Sequence, residues 1–100
     1  LTLAENICAE TGKDLDGSFI YGRSGKDVLR QKGTIGIHAV RAGDITGDHS
    51  VMFTTLGETV TLHHNAHSRD NFARGALAAA EWLSGRKPGI YTMADCLELE

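Results

Sequence analysis

The chain has 100 residues, 41% hydrophobic and 23% charged, with a formal net charge of −3 and a sequence pI near 5.9. This length holds one small domain at most, with a thin core, and the balance is that of a globular chain rather than a disordered one. The charge argues against a nucleic-acid binder, no apolar run approaches the ~18 residues of a membrane span, and no basic stretch leads into an apolar one as in a secretory leader.

The chain opens on Leu1 rather than Met, directly in a helical pattern, which suggests an excised piece. Leu3, Ile7 and Cys8 recur at helical spacing, with Ala4 beside them, so Leu1 to Thr11 is predicted as a short helix stopped by Gly12. Ser18 to Tyr21 is a short β-type run after Asp16-Gly17. Gly22 to Gly33 has turn and charged residues with little periodicity and is predicted as a mobile loop. Thr34 to Ala42 carries Ile35, Ile37 and Val40, with an irregularity near Ala39.

His49 to Leu56 alternates, with Val51 and Phe53 on one face and Met52 on the other. A tight turn at Gly57-Glu58 leads into Thr59 to His67, where Val60, Leu62, His64 and Ala66 share one face and Thr59, Thr61, His63, Asn65 and His67 the other. A period of two predicts a half-buried antiparallel strand. After Ser68, a suitable N-cap, the period changes: Phe72, Ala76, Ala79, Ala80 and Leu83 form a helical apolar stripe that ends at Gly85 and Pro88. Met93 to Leu97 is a last short helix capped by Thr92.

Five histidines raise a metal hypothesis that strand geometry weakens. His63 and His67 share a face but lie roughly 13 Å apart along a strand, whereas zinc needs its ligands at about 2 Å. His63 and His64 point to opposite faces, and His38 could meet His49 only through strand pairing. His64 shares a face with Val60 and Leu62 and is expected to be a partly buried, hydrogen-bonded imidazole. No metal site is expected. Cys8 and Cys96 match no CxxC spacing and are expected to be reduced, mostly buried thiols.

Gly22 to Asp27 has a phosphate-loop flavour, but GxxxxGK[ST] would need Gly at position 20 and Ser or Thr at 27, where Ile20 and Asp27 stand. The GxGxxG dinucleotide fingerprint does not occur. Arg23, Lys26, Arg30 and Lys32 still make this loop the most basic stretch, open either to water or to an anionic ligand. Ser68-Arg69 is the strongest local candidate for binding. A helix N-terminus offers free N–H groups and a positive dipole end, Arg69 adds a guanidinium fork, and Phe72 one turn on can face a planar ring. Plain capping plus a core Phe would account for the same residues. No Ser/His/Asp or Cys/His arrangement follows from spacing, and Asp44 and Asp48 fall at predicted turns.

Taken together, Arg41-Ala42-Gly43-Asp44-Ile45, Gly47 to Phe53, His64 to Arg69 and Phe72 to Leu77 resemble the C-terminal region of dihydrodipicolinate reductases (4-hydroxy-tetrahydrodipicolinate reductases). The likeness also takes in Tyr21, Arg23, Gly25, Arg30, Gly33, Ile35 and Gly36, and ends at Ala80 to Leu83 and Gly89 to Leu97. It departs from the family's commoner form at Val28 to Lys32 and falls in variable territory at His63, Asn65 and His67.

The resemblance implies an α+β fold with an antiparallel or mixed sheet of about four strands and flanking helices, without the family's N-terminal Rossmann domain. Residues 1–100 would be a substrate-binding and oligomerisation domain, and the helices in 68–97 would pack toward the nucleotide-binding domain. The parent enzyme is expected to be a cytoplasmic homotetramer of lysine and diaminopimelate synthesis, passing hydride from NADH or NADPH to a cyclic dicarboxylate. The family's Asp-x-Pro-Ser-Gly-Thr-Ala signature and its proton donor would precede Leu1, so no catalytic residue is carried over, and neither bound cofactor nor activity is expected of these 100 residues alone. Arg69 and Phe72 match family positions near the nicotinamide end of the cofactor; His49 and His64 match recurring histidines with no assigned chemistry. Two rival expectations are a ligand-free oligomerisation module and a weak anion- or nucleic-acid-binding domain using Arg23, Lys26, Arg30 and Lys32.

Overall fold

A computed structural model describes residues 1–99. They fall into two compact units, Leu1–Ala42 and a second that begins at Gly43. The elements are helices and strands in an α+β order, with no doubly wound sheet among the described residues. The four strands form two separate pairs rather than one continuous sheet. No helix among the described residues is long and apolar enough to cross a membrane.

The first unit opens with α1 (Thr2–Thr11). Gly12 ends it in the left-handed region at φ 66, ψ 24, which costs glycine nothing, and the Lys13 N–H closes back on the Cys8 carbonyl at 2.9 Å. Ala4 and Cys8, one turn apart, are its buried positions; Leu3, expected on the same stripe, is exposed. Strand β1 (Phe19–Tyr21) pairs in parallel with β2 (Ile35–Ile37), Phe19 opposite Ile35 and Tyr21 opposite Ile37. Parallel neighbours need a crossover of a dozen or more residues. The basic loop after Tyr21 is that crossover. Its far end is tied down: Arg30 donates to the Thr34 carbonyl at 3.2 Å, the Thr34 hydroxyl to Gln31 at 2.7 Å, and Lys13 to the Gly33 carbonyl at 3.0 Å. Beyond Ile37 the β pattern expected to reach Ala42 is not continued.

The second unit is built on an antiparallel hairpin, β3 (Gly47–Thr55) and β4 (Glu58–Ala66). Leu56 and Gly57 form the turn, one residue earlier than the sequence pattern predicts, because Gly57, at φ 92, supplies the positive φ inside the turn and Glu58 already pairs with Thr55. Helix α2 (Asp70–Ser84) follows. Its expected N-cap is shifted: the first helical turn closes on the Arg69 carbonyl, and Ser68 instead accepts the Asp70 N–H through its hydroxyl at 3.2 Å. The apolar stripe of α2 stays largely open, with Phe72, Ala76, Ala80 and Leu83 exposed and Ala79 half-buried. At its C-terminal end Trp82 meets Tyr91 edge-on at 5.5 Å and carries the Arg86 guanidinium 4.1 Å over its ring.

The one-turn helix α3 (Met93–Cys96) exists because of its cap. Thr92 accepts the Asp95 N–H at 3.2 Å, while the Asp95 carboxylate takes both the Thr92 N–H and its hydroxyl at 2.6 Å. The Thr92 hydroxyl first, and its N–H second, hold the Asp95 carboxyl below the usual carboxylate range against a small desolvation effect. A carboxyl depressed in the folded state stabilises the fold above its unfolded pKa and loses that contribution as pH falls through the folded one. Amide exchange at Asp95 to Leu97, corrected for its intrinsic pH dependence, should therefore quicken on acidification through that range. Asp95→Asn should exchange at the quickened rate at neutral pH.

Candidate functional site

The register of the hairpin decides which side chains meet. One face carries Gly47 opposite Ala66, His49 opposite His64, Val51 opposite Leu62 and Phe53 opposite Val60. The other carries Asp48 opposite Asn65, Ser50 opposite His63, Met52 opposite Thr61 and Thr54 opposite Thr59. The faces therefore divide as the alternation predicts.

The polar face is a hydrogen-bonded ladder. Asn65 donates to Asp48 at 2.9 Å, the Thr59 hydroxyl to Thr54 at 3.1 Å, and the Ser50 hydroxyl meets His63 Nδ1 at 2.7 Å. Asp48 Oδ1 stands 3.7 Å from that same His63 nitrogen. A nucleophilic triad needs serine and carboxylate on opposite ring nitrogens. Here both lie at Nδ1, so Ser50, His63 and Asp48 are a cross-strand contact and not a catalytic relay. Asp48, expected in a turn, is inside β3, while Asp44 is in a turn as expected.

The apolar face is covered at one end only. Phe72, on the first turn of α2, lays its ring 6.4 Å from that of His64 at a 51° tilt. Its Cζ would stand 4.0 Å from a Cβ built on Gly47, an ordinary contact, so the ring tip lies against this position with room for a methyl group and little more. Ala66, opposite Gly47, is buried. His64 is exposed rather than partly buried, and its contact is ring stacking on His49, at 6.3 Å and 19°, instead of the expected hydrogen bond. The reason is that this sheet has two strands, so beyond Phe72 little among the described residues of the unit covers the face. Phe53, Val60 and Leu62 are left 46%, 58% and 62% exposed.

Arg69 stands between β4 and α2, in the helical region at φ −80, ψ −6, its carbonyl accepting the Phe72 and Ala73 N–H groups at 3.1 and 3.2 Å. Its guanidinium has no hydrogen-bond or ion-pair partner among the described residues. Asn65, Ala66, His67, Ser68 and Asn71 line a shallow, open concavity of about 250 Å³ along the same junction. Arg69 and Phe72 are one helical turn apart and both exposed, but neither lines this concavity. Asn71 lines this concavity without having been singled out from the sequence, although a helical count from Ser68 places it on this side. Among the described residues no three His, Cys, Asp or Glu side chains gather as a metal site. Cys8 is buried and Cys96 half-buried, both as free thiols.

The family described as dihydrodipicolinate reductase, C-terminus, matches residues 1–97. The chain belongs to this family. It is 50% identical over 97 residues to the 4-hydroxy-tetrahydrodipicolinate reductase of Syntrophus aciditrophicus, covering 97% of this chain and 36% of that protein. The reductase of Thiobacillus denitrificans is 47% identical over 100 residues, all of this chain and 38% of the relative. That of Methanosarcina mazei is 56% identical over 81 residues, 81% of this chain and 30% of the relative. The chain thus spans little more than a third of the reductases it matches.

The contact between hairpin and helix in this reductase domain can be tested at Gly47. A Cβ there meets Ala66 Cβ at 3.4 Å, which a methyl group tolerates. Gly47→Ala should leave stability within about 0.5 kcal/mol of wild type. Gly47→Val adds branches where the Phe72 ring lies, and should cost about 1–3 kcal/mol in urea unfolding while shifting the Phe72 ring resonances.

Proposed function

We propose that this chain is the substrate-binding and oligomerisation domain of a cytoplasmic, NAD(P)H-dependent dihydrodipicolinate reductase of lysine and diaminopimelate synthesis. The observation that carries this is the family match across residues 1–97, together with an Arg69 that has no partner among the described residues and a half-exposed Phe72 on one helical turn. In the whole enzyme the nicotinamide cofactor supplies hydride to a cyclic dicarboxylate, and a proton completes the reduction. The domain's own residues orient and screen. Arg69 offers a guanidinium fork to a carboxamide or phosphate oxygen, Phe72 offers a flat apolar face to a planar ring, and the first amides of α2 favour negative charge beside them. The helices of residues 68–97 pack toward the nucleotide-binding domain. Proton donation and the gripping of substrate carboxylates fall to the family signature outside these 100 residues, which alone should give no turnover.

In the full-length reductase, Arg69→Ala and Phe72→Ala should each raise KM for NAD(P)H, by roughly three- to thirtyfold, with a smaller effect on kcat. Unchanged cofactor KM in both variants would remove these residues from the cofactor site.

Self-association is favoured by a separate observation, the open apolar face at Phe53, Val60 and Leu62. We propose that copies of the chain cover it in a homotetramer. Light scattering of the full-length protein should give a tetramer, and Leu62→Glu should reduce its mass with far-UV dichroism unchanged. A mass unchanged by Leu62→Glu would place the assembly surface elsewhere. The rival anion- or nucleic-acid-binding reading keeps its four cations, Arg23, Lys26, Arg30 and Lys32, all on exposed residues, with Arg30 also donating to the Thr34 carbonyl.

A further inference from the structure

The described face beneath Phe72 is built from three kinds of residue, and each has a distinct physical role. Gly47 lies at the tip of the ring, within ordinary contact distance, and Ala66, buried opposite it, forms the floor. His64 stands one register step further on, with its ring 6.4 Å from that of Phe72 and tilted by 51°. Directly across the hairpin His49 stacks on His64, nearly parallel at 19°. Both separations lie within the range in which aromatic planes interact specifically. His64 has no side-chain hydrogen-bond partner among the described residues, and what it offers Phe72 is a tilted ring-to-ring contact.

A phenylalanine with one side open to solvent rotates freely unless a wall restrains the other. Phe72 is 51% exposed, and that open side is what makes it usable as a ligand surface. The chain joins β4 to α2 through residues 67–69 alone, so strand position and helix start are closely coupled. We infer that His64, backed by His49, is a positioning residue for Phe72: a flat plate on the hairpin that sets the ring so that its outer face is presented to a nicotinamide ring. This rests on the proposed cofactor role of Phe72 and adds a determinant on a different element. The histidine acts here by shape rather than charge, so another flat ring should replace it and a small side chain should not.

The test is steady-state kinetics of the full-length reductase in NAD(P)H and in the cyclic dicarboxylate, with His64→Ala, His64→Phe, His49→Ala, Phe72→Ala and the His64→Ala/Phe72→Ala double variant. His64→Ala should raise cofactor KM roughly two- to tenfold, the scale of one lost aromatic contact, while kcat and dicarboxylate KM stay within about twofold. His64→Phe should restore the wild-type value, and His49→Ala should give a smaller rise in the same direction. The double variant should be no worse than Phe72→Ala alone, since both changes remove one contact. A general loss of structure would instead lower kcat and the melting temperature and would not be rescued by His64→Phe; that pattern overturns the inference. Wild-type cofactor KM in His64→Ala, with a raised value in Phe72→Ala, overturns the plate while leaving Phe72 at the cofactor. Wild-type KM in Phe72→Ala overturns both. Should His64→Ala fail to fold, His49→Ala and His64→Phe decide: no rise in the first, or no wild-type value in the second, overturns it.

Discussion

The antiparallel register of β3 and β4 sets Gly47 against Ala66 and His49 against His64, and the second unit depends on that alignment. Side chains alternate with a period of two, so a slip of one residue would carry every one of them to the opposite face. His64 would leave Phe72, Gly47 would leave Ala66, and Asp48 would lose Asn65. The turn guards the register, because Gly57 at φ 92 occupies a conformation that other residues adopt only with strain. A small steric demand at the turn thus reaches the far end of the hairpin, where α2 begins.

The two faces contribute unequally. The polar ladder of Asp48, Asn65, Ser50 and His63 is exposed, and solvent-facing contacts of this kind contribute roughly 0–1 kcal/mol each. A fully buried Val, Leu or Phe side chain contributes roughly 1.5–3 kcal/mol, and Phe53, Val60 and Leu62 are each about half exposed. A two-stranded hairpin is marginal in water unless its apolar face is covered. The larger reserve of stability therefore lies on the uncovered face, and the ladder acts mainly to keep the strands in step. The open stripe of α2 follows the same logic: its alanines keep the helix thin, so another element can approach closely.

The candidate site lies where these demands meet. Ser68 turns the chain out of the strand and holds the Asp70 amide, the Arg69 carbonyl closes the first helical turn, and Phe72 returns to the hairpin over Gly47. One segment joins sheet to helix and carries an exposed cation and an exposed aromatic ring one helical turn apart. In the first unit the corresponding constraint is the parallel β1–β2 pair, which needs a long crossover and so accounts for the length of the basic loop.

Local chemistry was legible in the sequence wherever one residue or one period determines it. The left-handed stop at Gly12, the alternating faces of the hairpin, the length of α2 and the Thr92 cap all follow from neighbours within a turn or two. Arg69 and Phe72 could be singled out for the same reason, being one helical turn apart at a helix start. Only the tertiary structure decided which residues stand opposite one another: the parallel pairing of Phe19 with Ile35, the place of Asp48 inside β3, and the stacking of His49 on His64. It also decided that His64 lies open against Phe72 rather than in a core, because the sheet stops at two strands. The physical reason is one of range: periodicity assigns a side chain to a face, whereas its neighbour across that face depends on register, crossover and strand number, which distant segments settle together.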